Sequence, residues 1–260
     1  MIPQSSITQW RNKAPWQDDF QVEQDLIIER ALVEIFSDPF LKDNLAFRGG
    51  TALHKLHLQP QARYSEDIDL VQMKAGPIKP IIQAMQKQLA FLGDPVIKPK
   101  ANNNTLVFRF QSEGEIPMKL KVEINCREHF TVFGLQEMLV SVESEWFTGQ
   151  ALVPTFSLDE MMATKLRAMY QRKKGRDLFD MFHAMTHPGG IDVKRVIEAW
   201  RHYLKAEGHE IPQKLFLQNM DAKMKDEDFV KDIDALLHPS VTYDIDSSYA
   251  LIRKEILETL

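Results

Sequence analysis

Cysteine is almost missing from this 260-residue chain. Cys126 is the only one, which excludes an intrachain disulfide and a zinc site built on several thiolates, and it fits a reducing compartment. Glycine and proline are few, 11 and 13 residues, so the chain is neither a low-complexity nor a collagen-like sequence. Long apolar runs are lacking too. The greasiest stretch, Leu26 to Phe36, is interrupted by Glu29, Arg30 and Glu34, and Met1 to Trp10 has no apolar core behind a basic start. Neither a membrane span nor an export signal is expected, and the chain reads as cytoplasmic. Positive charge is not in excess: 32 Lys and Arg stand against 37 Asp and Glu, a net charge of −5. That excludes a general polyanion coat and confines any nucleic-acid contact to a local patch. Missing as well are Gly-x-x-x-x-Gly-Lys-Ser/Thr, Gly-x-Gly-x-x-Gly, His-Glu-x-x-His and Gly-x-Ser-x-Gly, with the chemistries they carry.

What remains is a globular composition, 44% apolar and 27% charged, long enough for one large domain or two modest ones. Gln21 to Ser37 has helical apolar spacing and is broken by Asp38-Pro39. Leu45 to Arg48 reads as a short strand, Gly49-Gly50 as a turn, and Thr51 as the cap of a helix through Leu56. Asp67 to Val71 reads as a strand with Ile68 and Leu70 on one face and Asp67 and Asp69 on the other. A helix is expected over Ile78 to Leu92, a loop or hairpin approach over Pro99 to Asn104, and strands over Thr105 to Gln111 and Met118 to Asn125. Leu139 to Val142 and Ala151 to Val153 suggest two short strands of unspecified pairing. From Ser157 the pattern turns helical. Ser157 and Glu160 form a capping box for a helix to Tyr170, and further helices are expected around Leu178 to Met185, Val193 to Leu204, Lys225 to Leu237 and Ser247 to Leu257. This divides the chain into an α/β part, 1–154, and a mostly helical part, 155–260.

Two carboxylates one residue apart on a strand face can hold a divalent metal, since Mg²⁺ takes oxygen ligands and completes its shell with phosphate and water. A diglycine turn lets phosphate approach backbone N–H groups closely. Strand, Gly49-Gly50, helix, then the Asp67/Asp69 strand places these two halves of a metal–triphosphate site in one order. Glu123, on the polar face of its strand, is either a third carboxylate or a partner of Lys119 or Lys121. Lys165 sits beside an apolar stripe and either snorkels to solvent or points into a cleft. Lys165, Arg167, Arg172, Lys173, Lys174 and Arg176 are the one dense basic cluster, suited to RNA phosphates or simply a solvated turn. Asp177 complements a helix start or belongs to the active site. His54 and His57 read as surface histidines, Cys126 as a small buried side chain and Glu66 as a solvated charge.

Four blocks together resemble the AbiEii/AbiGii-like nucleotidyltransferase toxins of bacterial toxin–antitoxin and phage-defence systems. They are Phe47-Arg48-Gly49-Gly50-Thr51-Ala52-Leu53, Arg63-Tyr64-Ser65-Glu66-Asp67-Ile68-Asp69-Leu70, Lys165-Leu166-Arg167-Ala168, and Arg172-Lys173-Lys174-Gly175-Arg176-Asp177-Leu178-Phe179-Asp180. The resemblance implies a polymerase-β-like core with a mixed sheet, and a helical domain that completes the cleft. It implies Mg²⁺ on Asp67 and Asp69, NTP phosphates at Gly49, Gly50 and Ser65, and Lys165 and Asp177 as residues needed for activity, and our own reading adds Thr51 and Arg63 to the phosphate contacts. It further implies transfer of a nucleotide from an NTP to an RNA acceptor, such as the 3′ end of tRNA, with a neighbouring antitoxin as partner. Arg172, Lys173, Lys174 and Arg176 are the expected RNA contacts. A metal-dependent nuclease and a non-catalytic nucleotide-sensing module are the alternatives. The nuclease lacks a Glu-x-Lys strand and leaves the diglycine unexplained, and the module leaves the carboxylates without a chemical reason.

Overall fold

Period-2 alternation of apolar and polar residues builds a seven-stranded mixed sheet, shown by a computed structural model that describes residues 2–14, 16–100 and 102–260. The described residues divide into two units. The first comprises Met1–Leu56, Tyr64–Phe130 and Leu135–Phe156, and the second comprises His57–Arg63, Thr131–Gly134 and Ser157–Leu260.

The first unit runs α1 (Gln4–Trp10), α2 (Asp19–Ser37), α3 (Pro39–Asn44), β1 (Leu45–Arg48), α4 (Gly49–Ala52) continuing as a π-helical turn at Leu53–His57, β2 (Asp67–Gln72), α5 (Lys79–Gln88), β3 (Val96–Lys100), β4 (Asn103–Gln111), β5 (Pro117–Asn125), β6 (Leu135–Glu143) and β7 (Thr148–Phe156). The strand order is β3-β4-β5-β2-β1-β7-β6, with β2/β5 and β1/β7 parallel and the other pairs antiparallel. Register decides what each face carries. Phe47, Ile68, Leu70, Leu106, Phe108, Leu120, Val122 and Ile124 fall on one face and are buried. Side chains one residue out of phase, Arg48, Asp67, Asp69, Lys121 and Glu123, lie on the other. The long helix α2 packs against β5, β6 and β7 and buries Val22, Leu26, Ile28, Leu32 and Ile35.

Several elements differ from the sequence expectation. Thr51 caps nothing, because the helix starts at Gly49 and the Thr51 hydroxyl is engaged with Ser65 and the Asp67 carbonyl. Pro99 and Lys100 pair with Asn104 and Asn103 in a β3–β4 hairpin, the second of the two readings that the sequence allows there. Pro99 is tolerated because β3 is an edge strand, where its missing N–H leaves no ladder bond unmade. The two short strands are nine residues each and form the β6–β7 hairpin, with β7 lying beside β1. The short helices α1 and α3 carry too few turns to show a period.

The second unit is built of α6 (Leu158–Gln171), α7 (Gly175–Thr186), α8 (Val193–Ala206), α9 (Gln213–Lys223), α10 (Glu227–Lys231) and α11 (Ile245–Glu255). The helix expected over Lys225 to Leu237 is instead α10 and a 3₁₀ turn at Asp234–Leu236, and α9 precedes it. Ser157 caps α6, but Glu160 does not reciprocate. Its buried carboxylate accepts from Thr131 Oγ1 (2.8 Å), the backbone N–H of Val132 (2.8 Å) and Phe133 (3.1 Å), and the Tyr203 hydroxyl (2.9 Å). Four donors outweigh one cap, and they tie residues 131–134 to this unit. At Gly175 a Cβ would stand 2.1 Å from the Phe229 carbonyl, so α7 and α10 meet where only glycine fits.

Candidate active site

Three strands present one polar row after another. Asp69 lies in register with Arg48 of β1 and with Glu123 of β5, and Asp67 with Lys121 of β5. Lys121 Nζ donates to Asp67 Oδ2 at 3.2 Å, and the carboxylate beside it raises the ammonium pKa above its ordinary value, against the effect of burial. Asp67 Oδ1 is enclosed and has no hydrogen-bond donor among the described residues. Glu123 accepts from Asn103 Nδ2 at 3.3 Å.

The diglycine turn touches this row directly. Gly49 has φ +86°, and a Cβ there would stand 2.1 Å from Asp69 Oδ2 and 2.7 Å from Asp69 Cβ and Cγ. Glycine is required twice over, by backbone conformation and by closeness. Past the turn, Thr51 Oγ1 lies 2.8 Å from Ser65 Oγ and donates to the Asp67 carbonyl at 2.5 Å, which ties Ser65 to the first residue of the carboxylate strand. Lys55, in the π-helical turn, is buried and reaches Asp25 (2.7 Å) and Glu29 (3.0 Å) of α2, anchoring the segment that leaves the diglycine. Nothing in the residue spacing marks Lys55, because its partners lie 30 and 26 positions away.

A divalent cation suits these residues. An enclosed carboxylate oxygen without a donor is unfavourable unless a cation reaches it, and Asp67 and Asp69 supply the hard oxygen donors that Mg²⁺ prefers. Among the described residues no group of three or more His, Cys, Asp or Glu side chains stands at metal-binding geometry. Two carboxylates with shell positions left for phosphate and water is the usual Mg²⁺ arrangement.

The helical unit holds a second cluster. Arg63 is buried and turns a bidentate fork onto Asp180, with Nε at 2.6 Å and Nη2 at 2.8 Å. The expectation that Arg63 seats phosphates therefore gives way to a buried ion pair, since the planar guanidinium matches a carboxylate edge. Lys165 Nζ lies 2.7 Å from Asp180 and 3.2 Å from Asp177, and Arg172 holds Asp177 through two bonds of 2.7 Å. Lys173 pairs with Asp226, and Lys174 (3.0 Å) and Arg176 (4.0 Å) with Asp232. The basic run is thus not a free cationic strip, because acids on neighbouring helical segments meet each of these cations. His54 is fully buried instead of exposed, and Cys126 is half-buried.

Removing one member of a buried charge network leaves the others uncompensated. Asp180→Ala is expected to lower stability by about 3–5 kcal/mol in urea melts, while Arg63→Met combined with Asp180→Leu recovers most of that loss. Additive losses in the pair would contradict the network. Asp177 gives a pH signature. Burial opposes its ionisation, but Lys165 and Arg172 outweigh burial and hold its carboxyl below the usual aspartate value. A lowered folded-state pKa contributes stability that is fully present above the unfolded value, near ~3.9, and is lost as pH falls through the folded value. Asp177→Asn should flatten the acid limb of the stability profile in that window.

A family model described as nucleotidyl transferase AbiEii toxin, type IV TA system, matches residues 30–250. The chain belongs to this family. This AbiEii nucleotidyltransferase toxin is similar in fold to MenT4, a nucleotidyltransferase toxin of Mycobacterium tuberculosis H37Rv, with 17% identity, a TM-score of 0.63, and coverage of 100% of this chain and 91% of that one. An H. pylori structure described as that of a nucleotidyltransferase shares 15% identity with a TM-score of 0.53, covering 94% of this chain and 99% of the other. Comparison with curated proteins gives no match. No helix among the described residues of the AbiEii toxin is long and apolar enough to cross a membrane. Its acidic pair, diglycine turn and Lys165/Asp177 block all fall within the matched span. Asp180, as the shared partner of Arg63 and Lys165, is the residue that sequence reasoning passed over. Its spacing of three from Asp177 was visible, but not the arginine 117 positions upstream.

Proposed function

We propose that this nucleotidyltransferase toxin is Mg²⁺-dependent and transfers a nucleotide from an NTP to an RNA acceptor, the 3′ end of tRNA, with release of pyrophosphate. The observation that carries the reading is the donorless Asp67 Oδ1 beside an Asp69 that Gly49 touches. Asp67 and Asp69 would hold the metal, which supplies charge neutralisation on the triphosphate when bound. The backbone of Gly49 and Gly50 and the hydroxyls of Ser65 and Thr51 would position the phosphates, the two hydroxyls being fixed against each other at 2.8 Å. Glu123, in register with Asp69, would orient the acceptor hydroxyl. Lys165 and Asp177 are assigned to transfer on the strength of the family blocks they occupy, with Arg172, Lys173, Lys174 and Arg176 exchanging their carboxylate partners for RNA phosphate. An antitoxin encoded nearby would be the protein partner, and the cytoplasm the place of action.

The test is incubation of the purified protein with each labelled NTP, Mg²⁺ and total RNA. Label in a tRNA-sized band, lost on chelation, is the expected result. RNA cleavage that needs Mg²⁺ and no NTP would replace this reading with a nuclease, and nucleotide binding without transfer would replace it with a sensing module.

A further inference from the structure

The sheet has two edges, β3 and β6. β3 carries Lys98, Pro99 and Lys100 in succession, and lysine or proline on an edge strand discourages another strand from pairing with it. β6, Leu135-Gln136-Glu137-Met138-Leu139-Val140-Ser141-Val142-Glu143, has neither. Its hydrogen-bonding phase follows from the turn that ends it. The Ser144 N–H donates to the Phe147 carbonyl at 3.0 Å, and every second pair along an antiparallel ladder is bonded in that way, so Val142, Val140, Met138 and Gln136 bond to β7. The N–H and C=O groups of the odd-numbered residues therefore point to the open edge. Val140 and Val142 are buried, and the odd-numbered side chains lie on the opposite face. There Leu139 stands directly opposite Leu152 of β7, and the two are 60% and 45% exposed.

We propose that β6 pairs antiparallel with β6 of a second copy of this chain, about a two-fold axis at Leu139. Full overlap of the strand with itself sets Leu139 opposite Leu139 of the second copy, Glu137 opposite Ser141, and Leu135 opposite Glu143. The residues that meet are the odd-numbered ones, whose free N–H and C=O groups then bond to each other as an antiparallel pair requires. No two carboxylates face each other in this register, and Glu137 is already answered by Lys42 at 2.8 Å. Sliding the copies by two residues one way sets Glu137 against Glu143, and either slide leaves part of the strand unpaired. On the outer face, Leu152 and Leu139 of one copy continue into Leu139 and Leu152 of the other, a leucine row across four strands that covers side chains now open to water. The match of the strand with itself is what assigns the edge to a second copy and not to a strand of another protein. The inference is independent of the transfer reading.

Sedimentation of the purified chain across the micromolar range should reveal a species of twice 30.1 kDa. Leu139→Lys removes the central leucine contact and sets two like charges face to face, and it should weaken the dimer by about tenfold or more. Thermal melts check that this variant stays folded. A cysteine at the axis reads the register independently. In a Cys126→Ser background, Leu139→Cys puts two thiols on opposite residues whose Cα atoms stand about 5.5 Å apart, within disulfide reach, and mild oxidation should link the chains on a non-reducing gel. Ser141→Cys in the same background holds its thiols about 14 Å apart along the strands and should not link. A 30.1 kDa species throughout the range, with no link through Leu139→Cys, would overturn the proposal. So would a dimer indifferent to Leu139→Lys, or one linked equally through Ser141→Cys, because its interface would lie elsewhere. Linking of Leu139→Cys only to a co-expressed antitoxin, with this chain a monomer by itself, would give the edge to another occupant and equally overturn it.

Discussion

Asp67→Asn is expected to cut nucleotide transfer by about a thousandfold and to leave the fold in place. The two halves of that expectation have different sources. For the chemistry, the substitution removes a full negative charge from the oxygen pair that would hold the metal, and losing one preorganised electrostatic group at a reacting phosphate costs about 10²–10³ in rate, with weakened metal affinity adding to it. For the fold, Asp67 is half-exposed and pairs with Lys121, whose side chain is 31% exposed, a kind of contact worth little to stability. The amide keeps an oxygen for Lys121. Initial rates with labelled NTP and RNA over a Mg²⁺ titration, set beside thermal melts, measure both halves. A variant within about tenfold of the wild-type rate would remove Asp67 from the metal site.

Gly49→Ala is expected to lower transfer by about a hundredfold through its collision with Asp69. A Cβ at this position would lie 2.1 Å from Asp69 Oδ2, nearer than atoms can stand, and φ is +86°, where L side chains are strained. Because the clash includes Asp69 Cβ at 2.7 Å, turning the side chain does not relieve it, and the turn and strand must part, which carries the Asp69 carboxylate out of the row it shares with Arg48 and Glu123. Misplacing a reacting group by about 1 Å can cost that hundredfold. Strain at φ > 0 adds a stability loss of roughly 1 kcal/mol. Gly76→Ala is the control, since nothing lies within 4 Å of a Cβ there. If Gly49→Ala keeps full activity with an unchanged melting point, the contact with Asp69 has no bearing on transfer.

The sheet's central strands and their faces were legible because local alternation writes them out: Asp67-Ile68-Asp69-Leu70 states its own orientation. So was the glycine turn before them. The pairing partners were not, because register depends on residues far apart. Glu123 stands beside Asp69 through a parallel pairing that spans more than fifty residues and leaves no local trace. Charges misled for the same reason. Arg63, beside the carboxylate strand in sequence, read as a phosphate ligand, yet it belongs to a buried pair with Asp180. Arg172, Lys173, Lys174 and Arg176 read as a cationic strip because Asp226 and Asp232, which answer three of them, come fifty and more residues later. Thr51 and Glu160 satisfied local capping rules, and tertiary donors and acceptors claimed them instead.

The Arg63–Asp180 fork also has a meaning in time. The second unit draws residues 57–63 from the middle of the first unit's sequence, so its guanidinium leaves the ribosome 117 residues before its carboxylate. At about 5–20 residues per second that is an interval of roughly ten seconds. Through it the nascent chain carries a charge meant for burial with no acid to bury it against. A chain cut after Phe156 would carry Arg63 without Asp180, and a fragment starting at Ser157 would carry Asp180 and Lys165 without Arg63. Either cut leaves one partner of a buried charge pair uncompensated.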